Sequence, residues 1–535
     1  MSTPSSMPAA PAQKPHTQSG ILEIDYGILS SRSAKAFQAS VIALLVLGVA
    51  AATRLIVTKP DFVLPFLIIA APALAALYLW TSTRNHGLPL LPIFILQQAL
   101  VYGLPLMIDH PGLKFVKLEV IQTSALGVGL FILCCLGGWF LGKSSVSARP
   151  SRYDLIVSSG KQALDRCLGI SLSLLTICLC FHLSVRTGFI YEILPGIERF
   201  YSVMRTFANA SGALGALFGG LAIGSKPSVA RAWIFWILFA SIFLLSVADV
   251  LLSGAAGLVL STAIGLTLGK QKAPLKFLLM TFAVVGFLNQ GKFTLREKYW
   301  SDDSNTTRMT LTELPSLYME WADASLAAFL GDKVSSGLAK DSDKEGDGQS
   351  FLERVNNLQN MTYVVECFKE RGAKPMMGET YALIPPLFVP RILWKDKPRT
   401  HEGQVRLNLH FGRQSTVEQT EKTYVAWGLL PEAVGNFGPT GGPVILGLAL
   451  GTAMGWLETV SRRKRVFSVE GMALAGALLL TATSYEQVAS VFLTALFQFV
   501  MAAVVGGSLL RMWAGEGGGS RAKKAGSQSF RRIAP

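Results

Sequence analysis

The sequence predicts an all-α polytopic membrane protein with about twelve transmembrane helices and one large external loop between the ninth and tenth. Three observations predict it. The first is composition: AVILMFWYC residues make up 50% of the 535-residue chain, another 51 residues are Gly, and only 16% are charged, against roughly 25% in soluble domains. With a mean hydropathy of +0.42, so few charges cannot clothe the apolar surface in water. The second is a series of apolar runs, each long enough to cross hydrocarbon. The third is the way basic residues sort between the connections.

Residues 1–36 are predicted as a cytoplasmic N-terminal tail, disordered over its Pro-, Ser- and Ala-rich first twenty residues. No signal peptide precedes the first long apolar run, which starts near Phe37. Nine spans are predicted within 37–290, at about 37–57, 62–80, 87–108, 120–142, 168–186, 208–224, 232–252, 254–269 and 275–290. Three more fall within 439–510, at 439–458, 470–485 and 488–510. The sixth and eighth are Gly-rich (ASGALGALFGGLAIG and GAAGLVLSTAIGLTLG), and small residues let helix backbones approach closely. Residues 511–535 form a basic cytoplasmic tail.

With both termini in the cytoplasm, the cytoplasmic stretches hold 24 Lys and Arg residues, including the run Arg462–Arg465, and the short external loops hold 7. This asymmetry follows the positive-inside rule. The remaining 18 basic residues lie with 20 acidic ones in the long segment 291–438. The net charge of +15 is therefore topogenic: it faces anionic membrane lipids and gives no argument for nucleic acid. Five of the six cysteines lie in or beside apolar stretches and Cys367 stands apart, so no disulfide or thiolate metal site is expected.

Within the external loop, Phe351, Val355, Leu358, Met361, Val365 and Phe368 recur at helical spacing, predicting an amphipathic helix. Residues 315–330 predict another. Residues 381–394 (YALIPPLFVPRILW) are apolar, but three prolines forbid a straight span, so a re-entrant or interfacial element is expected.

Ionisable residues at or near the membrane face are the candidates for function. Asp249 ends the seventh span, Glu486 sits in the tight turn between the last two, and Glu432 precedes the tenth. Arg391, Lys395 and Lys397 cluster around Trp394. Such a group fits a clamp on a lipid diphosphate, because guanidinium grips phosphate in bidentate fashion and stabilises it as it departs; an interfacial cluster on lipid phosphates is the alternative. Arg296 and Arg354 are placed to add to the clamp. Glycosyl transfer to a hydroxyl benefits from a general base. Glu432, between apolar runs, is the choice over His401, Glu402 and His410, because desolvation makes a carboxylate a better proton acceptor. There is no P-loop, zinc spacing or serine-protease motif.

Two stretches carry a family resemblance. A Gly-x-Thr element followed by Pro-Arg-x-Leu-Trp-x-x-Lys-Pro (GETYALIPPLFVPRILWKDKP, Gly378–Pro398) and a later Asn-Phe-Gly element (EAVGNFGPTGG, Glu432–Gly442) resemble the Wzy-type O-antigen or exopolysaccharide repeat-unit polymerases. The resemblance covers about 65 residues. It implies a glycosyltransferase that joins undecaprenyl-diphosphate-linked oligosaccharides at the periplasmic face of the bacterial inner membrane. Arg391 matches the motif directly as a catalytic arginine, Arg296 and Arg354 match only by placement, and Asn436 falls within the second element. It implies no cofactor or metal, and a chain-length regulator as partner. Two other readings share some features: an O-antigen ligase, with an external His working beside arginines, and a twelve-span transporter or flippase, which the late position of the loop and the lack of an internal repeat disfavour.

The topology has a direct test. Reporters fused within 332–350 should be active only as periplasmic reporters and those at 461–466 only as cytoplasmic ones; a cytoplasmic reading near residue 340 would overturn it.

Overall fold

In hydrocarbon a segment must satisfy its own backbone N–H and C=O groups, and a helix is the local way to do so. The computed structural model describes residues 25–83, 87–108, 110–150, 161–193, 201–225, 229–248, 250, 252–270, 272, 274–299, 310–330, 355–389, 393–394, 396–422, 425–466, 468–483 and 486–515. In chain order its helices are α1 (Tyr26–Thr58), α2 (Val63–Ser82), α3 (Leu90–Met107), α4 (Leu118–Ser144), α5 (Lys161–Arg186), α6 (Phe189–Ile193), α7 (Tyr201–Gly224), α8 (Val229–Val247), α9 (Leu252–Lys270), α10 (Leu275–Tyr299), α11 (Leu314–Leu330), α12 (Leu358–Glu370), α13 (Glu379–Ala382), α14 (Ile384–Leu387), α15 (Glu402–His410), α16 (Val417–Lys422), α17 (Leu429–Ser461), α18 (Val469–Thr483) and α19 (Ala489–Gly515).

Among the described residues, nine helices are long and apolar enough to cross a membrane: α1–α5, α7, α8, α17 and α19. These mark a multi-pass membrane protein. The eighth and eleventh predicted spans are shorter apolar helices within α9 and α18. The ninth falls in α10, whose apolar run is interrupted by Lys276, Asn289, Gln290 and Lys292. The bundle has two sides. The basic side carries the Arg462–Arg465 turn, and the loop side carries α12–α16.

Close backbone contact builds the bundle. Gly447, Gly451 and Gly455 recur every four residues on α17 against α4, whose Gly138 and Gly142 meet the backbone of Leu448 and Thr452 in turn. A Cβ on Gly451 or Gly455 would run into the carbonyl of Cys135 or Trp139. The Gly-rich segments noted in the sequence form a second such seam, with Gly220 and Gly224 of α7 against Gly265 and Gly269 of α9. Lipid tails are as apolar as side chains, so helix association in a membrane rests on this kind of close packing.

A buried carboxylate pins the basic end of the first seam. Glu458 of α17 is 0% exposed. It accepts from Trp80 Nε1 of α2 at 3.0 Å and from Trp139 Nε1 of α4 at 2.7 Å, while Lys143 lies 4.2 Å from the Trp139 ring centre. Nearby, the Tyr26 hydroxyl donates to Gly471 O at 2.8 Å, and the backbone at Asp25 pairs antiparallel with that at Arg465 in a single β-bridge. This anchorage explains why α1 begins at Tyr26, ahead of the span predicted from Phe37: residues 26–36 are helix rather than tail. Residues 1–24 of the predicted tail lie outside the described residues.

On the loop side, α12 presents Leu358, Met361 and Val365 to the core, all 0% exposed. It begins later than the predicted helix, because Asn356 Oδ1 accepts from Gln359 N at 3.1 Å and closes a turn there. The Pro-rich α14 packs on α19, where Phe388 meets Phe497 with ring centres 4.9 Å apart. α17 is not one straight rod. Gly438 (φ 80°, ψ 171°) breaks it, and a Cβ on Gly442 would meet the backbone of Ala433 and Val434. The first two turns therefore fold back against the rest.

The α4–α17 seam predicts that Gly451→Leu costs about 3 kcal/mol or more, since overpacking here displaces backbone rather than side chains. Size-exclusion profiles of detergent extracts should show loss of the folded peak, whereas Gly137→Leu, where an added Cβ meets nothing within 4 Å, should keep it.

Candidate functional site

The fold-back of α17 brings the two resembling stretches together. Met376 N donates to Gly435 O at 3.1 Å and Met377 N to Asn436 O at 2.8 Å. The chain then turns sharply through two left-handed residues, Met377 (φ 52°) and Gly378 (φ 89°). Gly adopts this conformation freely, whereas Met pays roughly 1–3 kcal/mol for it. The turn starts α13 and aims Thr380 into the protein.

There Glu432, 0% exposed, is enclosed by donors. Thr380 Oγ1 donates to Oε1 at 2.7 Å, and the backbone N–H of Ala489 donates to Oε2 at 2.5 Å. Ala489 is the first residue of α19, so the carboxylate also sits at the positive end of a long helix. Asn436, one turn after Glu432, donates from Nδ2 to Thr380 Oγ1 at 2.9 Å and to Glu432 O at 2.8 Å. From α15, Gly403 packs beside the carboxylate: a Cβ there would lie 3.9 Å from Glu432 Oε1, in ordinary van der Waals contact. Ser490 Oγ donates to Thr400 O at 2.9 Å. One carboxylate thus ties α13, α17 and α19 into a clasp, with α15 packed beside it.

This geometry bears on the role expected for Glu432. A general base presents an oxygen to its substrate, but here both oxygens already accept hydrogen bonds and neither meets solvent. In this arrangement Glu432 orders Thr380 and the start of α19, with Asn436 as its companion.

The other residues singled out in the sequence fall in several places. Arg391, Lys395, Arg354 and Asp249 lie outside the described residues. Lys397 Nζ donates to the carbonyls of Leu387 and Val389 at 3.0 and 2.7 Å, capping the Pro-rich segment. His401 Nδ1 pairs with Gln404 Oε1 at 2.8 Å at the start of α15. Arg296 is elsewhere: its Nε donates to Val250 O at 3.2 Å in the connection between α8 and α9. Glu486 is half-buried in the turn leading into α19, three residues before Ala489.

Sequence reading missed Arg413. Its Nη1 donates to Asn360 Oδ1 at 2.9 Å, and its guanidinium lies 5.3 Å from the Tyr363 ring centre and 5.7 Å from that of Trp427. No carboxylate pairs with it among the described residues. Burial pulls its affinity for the proton below the usual arginine value, although a guanidinium stays charged at any physiological pH. Arg371 lies 5.4 Å from the same Tyr363 ring. Behind Arg413 is a buried polar network: Trp427 Nε1 donates to Asn408 Oδ1, and Asn360 Nδ2 to Asn357 Oδ1, both at 2.7 Å. A partly buried cation held on aromatic faces is suited to an anion. Its only sequence signal was an arginine in a loop crowded with them.

Among the described residues, no three His, Cys, Asp or Glu side chains gather to hold a metal ion. Cys367 is buried, and its thiol is pushed up by that burial, away from thiolate chemistry.

Fold and site together define a multi-pass α-helical membrane protein with a buried carboxylate clasp on its loop side. Comparison with protein-family models, curated proteins and solved structures finds no match for this chain.

The clasp predicts an asymmetry at Thr380. Thr380→Val strips partners from Glu432 and Asn436 and should lower stability by about 1–3 kcal/mol, read as a reduced melting temperature of the detergent-purified protein. Thr380→Ser keeps the hydroxyl and should recover most of the loss.

Proposed function

We propose that this protein is a repeat-unit polymerase. It joins undecaprenyl-diphosphate-linked oligosaccharides into a surface polysaccharide or exopolysaccharide at the periplasmic face of the bacterial inner membrane. One observation carries the reading: the two stretches that resemble the Wzy-type polymerases, far apart in sequence, assemble into one clasp around Glu432. Thr380 of the first and Glu432 and Asn436 of the second complete each other's hydrogen bonds, which supports reading the two stretches as one unit.

In this reading the acceptor hydroxyl attacks the anomeric carbon of the growing chain. The bond to the lipid diphosphate breaks, the diphosphate leaves as an anion, and the hydroxyl proton is released to water. Arg391, from the motif, and Arg413, with no carboxylate partner among the described residues, stabilise the charge on the departing group. Lys397 and Glu432 hold the Pro-rich segment and the clasp in place. The topology is twelve spans with both termini in the cytoplasm, and a chain-length regulator is the expected partner.

Deleting the gene should leave single repeat units, with no polymer, while repeat-unit synthesis continues. Long polymer that fails to reach lipid A core would favour a ligase instead. At matched membrane levels, Arg391→Ala should cut polymer formation by about 10²–10³, the loss of roughly 3–4 kcal/mol of transition-state stabilisation. Arg391→Lys should fail nearly as badly, because lysine lacks the planar fork. Arg413→Ala should cost about tenfold or more, as loss of a charge-assisted hydrogen bond does. Near-normal polymer from Arg391→Ala and Arg413→Ala together would remove the cationic clamp from the mechanism.

A further inference from the structure

A lysine at the end of a membrane span lies level with the lipid head groups, whose phosphates are the nearest anions. One surface cavity on the loop side, about 270 Å³ in volume, is lined by two such lysines, Lys59 and Lys114, together with Asp61. Phe62, Leu113 and Leu118 form its apolar wall. It lies where the first span ends at Thr58, the second begins at Pro60 and the fourth begins at Leu118. Gly112, beside it, packs on Gln359 of α12. Three of the seven cations assigned to short external loops meet at this corner: Lys59, Lys114 and Lys117. Lys117 is already paired. It meets Glu370 at 2.8 Å while Lys369 meets Glu119 at 2.6 Å, and these crossed ion pairs tie the start of α4 to the end of α12. Lys59 Nζ stands 5.2 Å from the Phe62 ring centre. Lys114 is exposed and has no carboxylate partner among the described residues. Phe115, next to it, is 92% exposed, which a lipid interface accepts more readily than water does.

We propose that this cavity holds the head group of a phospholipid that carries both a phosphate and a primary ammonium. The inference needs only the membrane bundle and stands apart from the polymerase reading. The lining selects the ligand. Lys59 and Lys114 supply N–H donors for phosphate oxygens, and Asp61 supplies the acceptor for an ammonium. A purely anionic head group would set its charge against Asp61, and a quaternary ammonium has no N–H to give it. The volume falls just under the roughly 300–1,000 Å³ of small-molecule pockets. That suits a head group and leaves the acyl chains outside, along the exposed Val57 and Leu64 of the adjoining spans. Because the crossed ion pairs rest α12 on this corner, a lipid seated here braces the loop elements.

The test uses full-length, delipidated protein in detergent, titrated with dioleoyl phosphatidylethanolamine, phosphatidylglycerol or phosphatidylcholine. Bound lipid is counted by native mass spectrometry. In parallel, binding is read as the rise in melting temperature that a ligand of the folded state produces. Wild type should bind the ethanolamine lipid ahead of the other two and be stabilised most by it. Lys114→Gln should weaken that binding about fivefold, the effect of one lysine near a lipid surface. Adding Lys59→Gln should weaken it further. Asp61→Asn should erase the preference for the ethanolamine lipid over the glycerol lipid, a ratio that misfolding cannot move. Without lipid, Lys114→Gln should melt with wild type, so that lost binding is not mistaken for a lost fold. Equal binding by wild type and Lys114→Gln would overturn the proposal. So would a wild-type preference for phosphatidylglycerol, or an unchanged preference in Asp61→Asn. Inorganic phosphate that stabilises wild type as well as the lipid does would also overturn it, because the cavity would then be a site for free phosphate.

Discussion

A carboxylate without access to water is the constraint on which the loop side of this protein depends. Taking Glu432 out of solvent is costly unless its oxygens are given donors, and the donors come from two directions. Thr380 arrives from a turn that needs two left-handed residues, and Ala489 N–H arrives from the start of α19. Asn436 orders Thr380 from one turn further along α17. Each donor can sit where it does only if its own element is placed correctly. The fold-back at Gly438, the packing of Gly403 and the Pro-rich packing on α19 are all parts of the same requirement.

The basic side solves the same problem differently. Glu458 is equally enclosed, but its donors are two indole N–H groups from α2 and α4. It locks spans to one another, whereas Glu432 locks a loop to spans. Between the two carboxylates runs the α4–α17 glycine seam, in which backbone contact takes the place of the hydrophobic drive that a bilayer withholds. The result is a bundle fixed at both ends of α17, with the loop elements held against it by polar bonds. The cationic surface around Arg413 is built on those elements.

Much of the fold was legible because periodicity and composition are local properties. The apolar runs from Phe37 to Leu510 locate helices, and the Gly-rich segments at 208–224 and 254–269 mark a close-packed pair. Glu432 stood out as a carboxylate between apolar runs, and Asn436 only as part of the second resembling element. Their partners did not, because Thr380 and Ala489 are distant in sequence and the Ala489 contribution is a backbone N–H that no residue type announces. Glu458 was overlooked for the same reason: two tryptophans far upstream make its burial tolerable. Lys397 read as a phosphate ligand, yet in the structure it caps carbonyls of its own segment. Arg413 was hidden among loop arginines until the fold set it on two aromatic faces without a carboxylate partner among the described residues.

The central claim is that Glu432 and Thr380 act as one unit joining the loop to the spans. A double-mutant cycle tests it most directly, comparing melting temperatures of the purified protein bearing Thr380→Val, Glu432→Gln and both. If the clasp is as described, the double variant should be clearly less destabilised than the sum of the singles, with a coupling of about 0.5–3 kcal/mol, as for residues in one hydrogen-bond network. Strictly additive losses would contradict it, because they would mean that the two side chains support the fold independently.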